Sequence, residues 1–119
     1  MAQSHELGRR SESIAARFLE SHGYEILERN YRVGHKEVDL IVRRNDLIAF
    51  VEVKARAGPG YGHPLEAITW AKRREVAYVA RVWIAAHGPP GLTYRFDALA
   101  IVWKGSQPVI DHLPNAWTL

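Results

Sequence analysis

The residues with the most chemistry to offer lie in one short stretch, EVDLIVRRNDLIAFVEVK, from Glu37 to Lys54. Two runs rich in Val, Leu and Ile, Glu37–Arg43 and Leu47–Val53, flank Arg44-Asn45-Asp46. Such runs favour a pleated, half-buried surface, while Asn and Asp tolerate turn geometry, so the stretch predicts a hairpin. A two-residue loop, Asn45-Asp46, sets Arg44 against Leu47, Asp39 against Glu52 and Glu37 against Lys54. A loop one residue longer would break this register. Side chains alternate along a strand, so these four share a face. Like charges in direct opposition are destabilising. Two carboxylates placed that way require something cationic between them, and a divalent metal is the simplest choice. A competing reading puts the acids at a sheet edge, with Lys54 paired to Glu37 or Glu52 in water, where ion pairs are common and weak.

The same face carries Ile41, Ile48 and Phe50, and the other carries Val38, Leu40, Val42, Leu47, Ala49, Val51 and Val53. Apolar residues on both faces predict a sheet covered by helices on both sides. Acids beside a covered face need a reason, because burying an unpaired charge is costly.

Asp39 followed after a hairpin by Glu52-Val53-Lys54 resembles the PD-(D/E)xK nuclease core. More narrowly, the chain resembles the small bacterial YraN family, itself similar to archaeal Holliday-junction resolvases. The resemblance rests on a series of segments running in order along the chain. These are Gly8-Arg9 with Glu12, Arg29-Asn30-Tyr31, Glu37-Val38-Asp39-Leu40-Ile41, and Phe50-Val51-Glu52-Val53-Lys54 with Arg56. Lys72-Arg73-Arg74, Arg95-Phe96-Asp97 and the ending Asn115-Ala116-Trp117 continue it. Val38 stands where the wider superfamily has Pro. Ser11 and Lys36 stand where YraN proteins commonly have Gly, and Ala55 where they have Thr or Ser.

The resemblance implies a restriction endonuclease-like α/β fold, a mixed sheet with an antiparallel meander flanked by helices on both faces. It implies metal-dependent hydrolysis of nucleic-acid phosphodiesters, with branched or junction DNA among the substrates and DNA ahead of RNA. Asp39, Glu52 and the Val53 carbonyl would hold Mg²⁺ or Mn²⁺, which prefer oxygen ligands and keep several waters. Lys54 would orient or help deprotonate the attacking water, and Glu12 would bind a second ion or hold one of the waters. A homodimer is implied too, because resolvases cut two strands symmetrically. The alternatives are a non-catalytic nucleic-acid-binding module on the same fold and a protein-interaction domain with solvated edge charges.

At 119 residues the chain is expected to form one domain with a real core. Cys is absent, which rules out disulfides and thiolate metal sites. The apolar runs LIAFV and ALAIVW are far shorter than a membrane span, and MAQSHELGRR carries no apolar signal region, so a cytoplasmic protein is expected. The formal charge is +3. Setting Glu12, Asp39 and Glu52 aside as one acidic site leaves a basic surface around an acidic pocket, which suits a polyanion whose phosphate must reach a metal.

The elements that must position these residues can be read in outline. Residues 5–22 have the apolar period of a helix, with Leu7, Ile14, Ala15, Phe18 and Leu19, and His22-Gly23 ends it. Glu12 falls at the edge of its apolar stripe, as a solvated glutamate or as a carboxylate reaching over the sheet. Tyr24–Val33 reads as the first strand, with Glu25, Arg29 and Arg32 on an exposed side. Gly58-Pro59-Gly60-Tyr61-Gly62-His63-Pro64 is a loop that starts beside Lys54 and Arg56. In it Tyr61 could stack on a base, and His63 or Arg56 could contact a phosphate, unless the loop is a plain connection.

Thr69–His87 reads as a second helix, with Thr69 as N-cap and Val76, Val79, Ala80, Trp83 and Ile84 as its apolar face. Lys72 and Arg73 on it are candidate phosphate contacts, Lys72 aimed at the site. Thr93–Trp103 is a fourth strand, parallel to the Glu52 strand through the helix crossover, and Pro108–Leu113 a short fifth. Arg95 and Asp97 share a face and could simply pair. Trp103 and Trp117 read as packing. The six histidines lack zinc-ligand spacing, and the chain has no P-loop, dinucleotide fingerprint or nucleophile elbow.

Overall fold

The computed structural model describes residues 2–57, 64–88 and 90–118. The chain runs α1 (Ala2–Ser21), β1 (Glu25–Val33), β2 (Lys36–Arg44), β3 (Leu47–Ala57), a short 3-10 turn (Pro64–Ala67), α2 (Trp70–His87), β4 (Thr93–Lys104) and β5 (Gln107–Trp117). The strands form one sheet in the order β1-β2-β3-β4-β5. Every neighbouring pair is antiparallel except β3 and β4, which are parallel. The crossover that makes them parallel is α2, as expected for a strand–helix–strand unit.

Local chemistry explains where the elements stop. The Tyr24 amide donates to the Leu19 carbonyl and the Gly23 amide to the Glu20 carbonyl, a Schellman ending of α1. It requires the left-handed backbone that Gly23 takes, φ +88°. At the start of α2 the Thr69 hydroxyl accepts from the Lys72 amide at 3.0 Å, the N-cap read from the sequence. The β2–β3 turn sits on Asn45, whose φ is +55°.

The core has two halves, one on each face of the sheet. Ala15, Ala16 and Leu19 of α1 pack on Leu40, Val42, Ala49, Val51, Leu99, Ile101 and Trp103. Val76, Val79, Ala80 and Trp83 of α2 pack on Val38, Ile41, Ile48, Phe50, Ala98 and Trp117. This is the expected restriction endonuclease-like arrangement, a mixed sheet with a helix on each face.

Three details differ from the sequence reading. Tyr24 precedes β1 instead of opening it, because the α1 cap uses its amide. Val38 lies on the α2 face, not with Leu40 and Val42, so alternation slips at Asp39. The fifth strand runs to Trp117, well beyond Leu113. A bulge opposite Phe96–Ala98 and a positive φ at Asn115, 54°, re-aim its end so that Trp117 stacks on Phe96 at 5.5 Å.

That end is also tied by polar bonds. Asp97, fully buried on the α1 face, accepts from Arg95 Nε and Nη2 at 2.7 and 2.8 Å, and from the Asn115 amide at 3.0 Å. His112 Nε2 lies 2.8 Å from the same carboxylate, and Arg95 also donates to the Tyr24 hydroxyl. The expected Arg95–Asp97 pair therefore exists, inside a larger network that holds β5 to β4. Burial alone would raise the Asp97 pKa, but the bonds from His112, Arg95 and the Asn115 amide outweigh it and hold the carboxyl below its usual range.

Candidate active-site cleft

β2 and β3 pair from Arg44–Leu47 to Leu40–Val51, the register of a two-residue loop. There the ladder ends, and Asp39 and Glu52 are the next residues on the two strands. The parting has a visible cause. The Glu37 amide donates to Glu75 Oε2 at 3.0 Å, and Lys72 Nζ donates to the Glu37 carbonyl at 3.0 Å. Both backbone groups of Glu37 are thus engaged by α2. On the other side of the gap the Val53 amide donates to Asp39 Oδ2 at 2.8 Å, so a side chain takes the place of a ladder bond.

A cleft of about 410 Å³ opens at this gap. Gly8, Ser11 and Glu12 of α1 line it, with Asp39 of β2, Glu52 to Arg56 of β3 and Lys72 of α2. Asp39, Glu52, Val53, Lys54, Glu12, Arg56 and Lys72, all singled out from the sequence, therefore meet in one place. Ser11 is buried and accepts a 3.0 Å bond from Trp103 Nε1, which fixes the α1 turn that presents Glu12.

The electrostatics are those of crowded, partly dry carboxylates. Glu52 is 2% exposed, and burial, reinforced by the Asp39 charge, pushes its pKa up to about 8 against the pull of Lys72 and Lys54. Burial raises Asp39 as well, opposed by the Val53 amide and Lys72. Glu12 is raised by burial and then by Asp39, with the Asn30 side chain pulling the other way. Burial would lower Lys72, but its bond to Glu75 and the charges of Glu52, Glu75 and Asp39 keep it above its usual value. Glu52 Oε1 is buried without a hydrogen-bond partner. A native structure rarely leaves such an atom orphaned without a functional or ionic reason.

The edge-charge reading does not hold. Glu52 is not in water, and among the described residues Lys54 makes no ion pair. Glu37 does not oppose Lys54 across a ladder. It pairs with Arg32 of β1 at 2.7 Å, and the β2–β3 ladder ends before reaching it.

Other expectations fare differently. Arg73 is not in the cleft lining. It donates to the Ile68 carbonyl and lies 4.5 Å over the Trp70 ring. Tyr61 and His63 lie outside the described residues. Glu75 and Asn30 were not identified as site residues from the sequence. Glu75 bonds Lys72 at 2.8 Å from the next helical turn, a spacing that could have pointed to it. Asn30 takes φ +51° and meets Glu12; it stands in the Arg29-Asn30-Tyr31 segment of the resemblance, which marked the position without giving it a role.

The donor set fits a hard divalent cation. Mg²⁺ is commonly held by one or two carboxylates with waters and phosphate oxygens, not by a full protein cage. Asp39 and Glu52 supply the two carboxylates, and the orphaned Glu52 oxygen supplies the vacancy in bonding. Among the described residues no three His, Cys, Asp or Glu side chains gather as a ready-made ligand group. Glu12 therefore stands outside the pair.

Fold and cleft together define an α/β protein of restriction endonuclease-like arrangement, with an acidic cleft where two central strands part. The chain belongs to the family described as "Uncharacterised protein family UPF0102", whose model matches residues 11–101. A UPF0102 protein of Leifsonia xyli subsp. xyli is 45% identical over 97% of this chain and 98% of its own. One of Geobacter metallireducens is 42% identical over 95% of this chain and 93% of its own. One of Myxococcus xanthus is 35% identical over 98% and 92%. Among solved structures, Pyrococcus furiosus SfsA in complex with Ca²⁺ is similar over 93% of this chain and 63% of its own, at 16% identity and a TM-score of 0.37.

Proposed function

We propose that this protein is a Mg²⁺- or Mn²⁺-dependent nuclease that hydrolyses phosphodiester bonds in nucleic acid, with branched or junction DNA the first substrates to test. The observation that carries the reading is the Asp39–Glu52 pair, two carboxylates side by side in a low-dielectric cleft with Glu52 Oε1 unbonded. Asp39, Glu52 and the Val53 carbonyl would hold the ion. Bound there, it would supply neutralisation of the charge developing on the phosphate and a lowered pKa of water. Lys54, on the cleft wall, orients the attacking water and offsets phosphate charge. Glu12 accepts a hydrogen bond from a cleft water. Lys72 and Arg56, also on the wall, contact the phosphates. Two copies acting on the two strands of a junction make a homodimer part of this reading, and a monomeric mass by light scattering at assay concentration would remove it.

The decisive test is cleavage of labelled single-stranded, duplex, flap and four-way-junction DNA with Mg²⁺, Mn²⁺ or chelator. Asp39→Ala/Glu52→Ala protein prepared in parallel exposes contaminating nuclease. Metal-dependent cutting that falls to background in the double variant is the expected result. The alternative is a nucleic-acid-binding module on the same fold, in which Lys54, Arg56 and Lys72 of the cleft wall hold phosphates without turnover. That reading predicts salt-dependent binding with no cutting on any substrate.

A further inference from the structure

We propose that the outer face of α1 is a phosphate-binding groove, formed by Arg9, Arg10 and Arg17 around Ser13, that takes the nucleic-acid strand beyond the cleft. The proposal rests on the nuclease or binding-module reading above and names where the polyanion continues. A cavity of about 310 Å³ is lined by Arg9, Arg10, Ser13, Ile14 and Arg17. None of its described lining residues is a carboxylate. Among the described residues none of the three guanidiniums makes an ion pair. Three like charges around one groove repel each other, and an anion between them removes that cost.

The groove is also partly preorganised. The Arg10 guanidinium lies 4.8 Å over the Trp103 ring, and Trp103 is 5% exposed and bonded to Ser11 Oγ. Arg10 is therefore held in place by packing and does not have to be ordered by a ligand. Ser13 offers a hydroxyl donor among the arginines, the combination that binds phosphate oxygens.

Its position points to the ligand. Gly8, Ser11 and Glu12 face the cleft, and Arg9 lies on the same helical turn. At 1.5 Å per residue, Arg9 and Arg17 are about 12 Å apart along the axis. A groove of that length takes more than one successive phosphate of a strand. The groove lies on the side of α1 away from Glu12, so a polyanion whose reacting phosphate sits at Asp39 and Glu52 reaches it by crossing the helix at Arg9, about 60° round the helix from Glu12.

The test is equilibrium binding of a fluorescein-labelled DNA duplex and four-way junction, read by anisotropy in chelator across a salt series. Removing two phosphate contacts should reduce the magnitude of the slope of log K against log salt by about 1.8. That change is expected for Arg9→Gln/Arg17→Gln, both exposed positions, with restoration in Arg9→Lys/Arg17→Lys. Arg43→Gln/Arg81→Gln, which removes the same charge from the hairpin and α2, should leave the slope unchanged. The proposal is overturned if the groove variant keeps the wild-type slope, if the control loses as much, or if the wild-type protein binds no nucleic acid. Metal-dependent cleavage by the wild-type protein is measured separately. A slope effect without cutting keeps the groove and removes the nuclease, and cutting without a slope effect does the reverse.

Discussion

At the scale of single residues, Glu52 carries the sharpest consequence. Its folded pKa of about 8 stands above the 4.5 of an unstrained glutamate. A carboxyl raised in the folded state binds its proton more tightly there than in the unfolded chain. Stability from this source is full below pH 4.5 and is lost as pH rises towards 8. Asp39 and Glu12 are raised and act in the same direction, while Asp97 and Glu75 are lowered and matter only on the acid side. In chelator, the melting temperature should therefore fall between pH 5 and pH 8.5. Glu52→Gln should flatten that fall and raise Tm at pH 8.5 by roughly 4 °C, the shift of about 1 kcal/mol in a chain this size. Saturating Mn²⁺ should raise Tm of the wild type and not of Glu52→Gln, by linkage. Thermal melts with and without chelator check all three, and a wild type indifferent to both pH and Mn²⁺ would count against the buried pair as an ion site.

At the scale of elements, the sheet is held at its far edge by a buried charge network. Asp97→Ala would take the carboxylate from Arg95, 18% exposed, and leave it the Tyr24 hydroxyl. Breaking a buried pair by removing one partner costs about 3–5 kcal/mol, a large share of the roughly 5–15 kcal/mol of a typical domain. The expected result in denaturant titration is a loss of that size, with faster amide exchange over Leu113–Trp117 than over the β2–β3 hairpin. Equal exchange in both would mean that the network does not staple β5. Thr69→Ala removes the α2 cap and should cost about 1 kcal/mol, measured the same way. Because α2 also holds the Glu37 backbone through Lys72 and Glu75, fraying of its first turn bears directly on the cleft.

At the scale of the whole molecule, the cleft brings Glu12, Asp39 and Glu52 together with Lys54, Arg56 and Lys72, a second, arginine-lined groove lies on α1, and no described helix is long and apolar enough to cross a membrane. The cleft acids repel a phosphate whenever no cation is bound. Asp39→Ala/Glu52→Ala should therefore bind DNA in chelator at least as tightly as the wild type, while failing to cut it with metal. Anisotropy titration of both proteins at one salt concentration decides this, and loss of binding in the variant would mean that the two acids build the surface instead of repelling the ligand.

What the chain determined by itself was whatever depends on neighbours in sequence. Two-residue loop geometry set the β2–β3 register, and that register brought Asp39 and Glu52 to the same end of the ladder. Helical periodicity and a Thr cap marked α2, and apolar residues on both strand faces required helices on both sides. Resemblance in motif pointed to Glu12 and Lys72, which local pattern left among solvated charges. Only the tertiary structure decided that β2 and β3 part at Asp39, since the parting depends on α2 side chains, 35 and 38 residues away, bonding the Glu37 backbone. It decided that Arg73 lies on Trp70 and not in the cleft, and that β5 continues to Trp117. It also decided how deeply Glu52 is buried, because burial and the pKa it sets are sums over the surrounding chain, and no local window contains them.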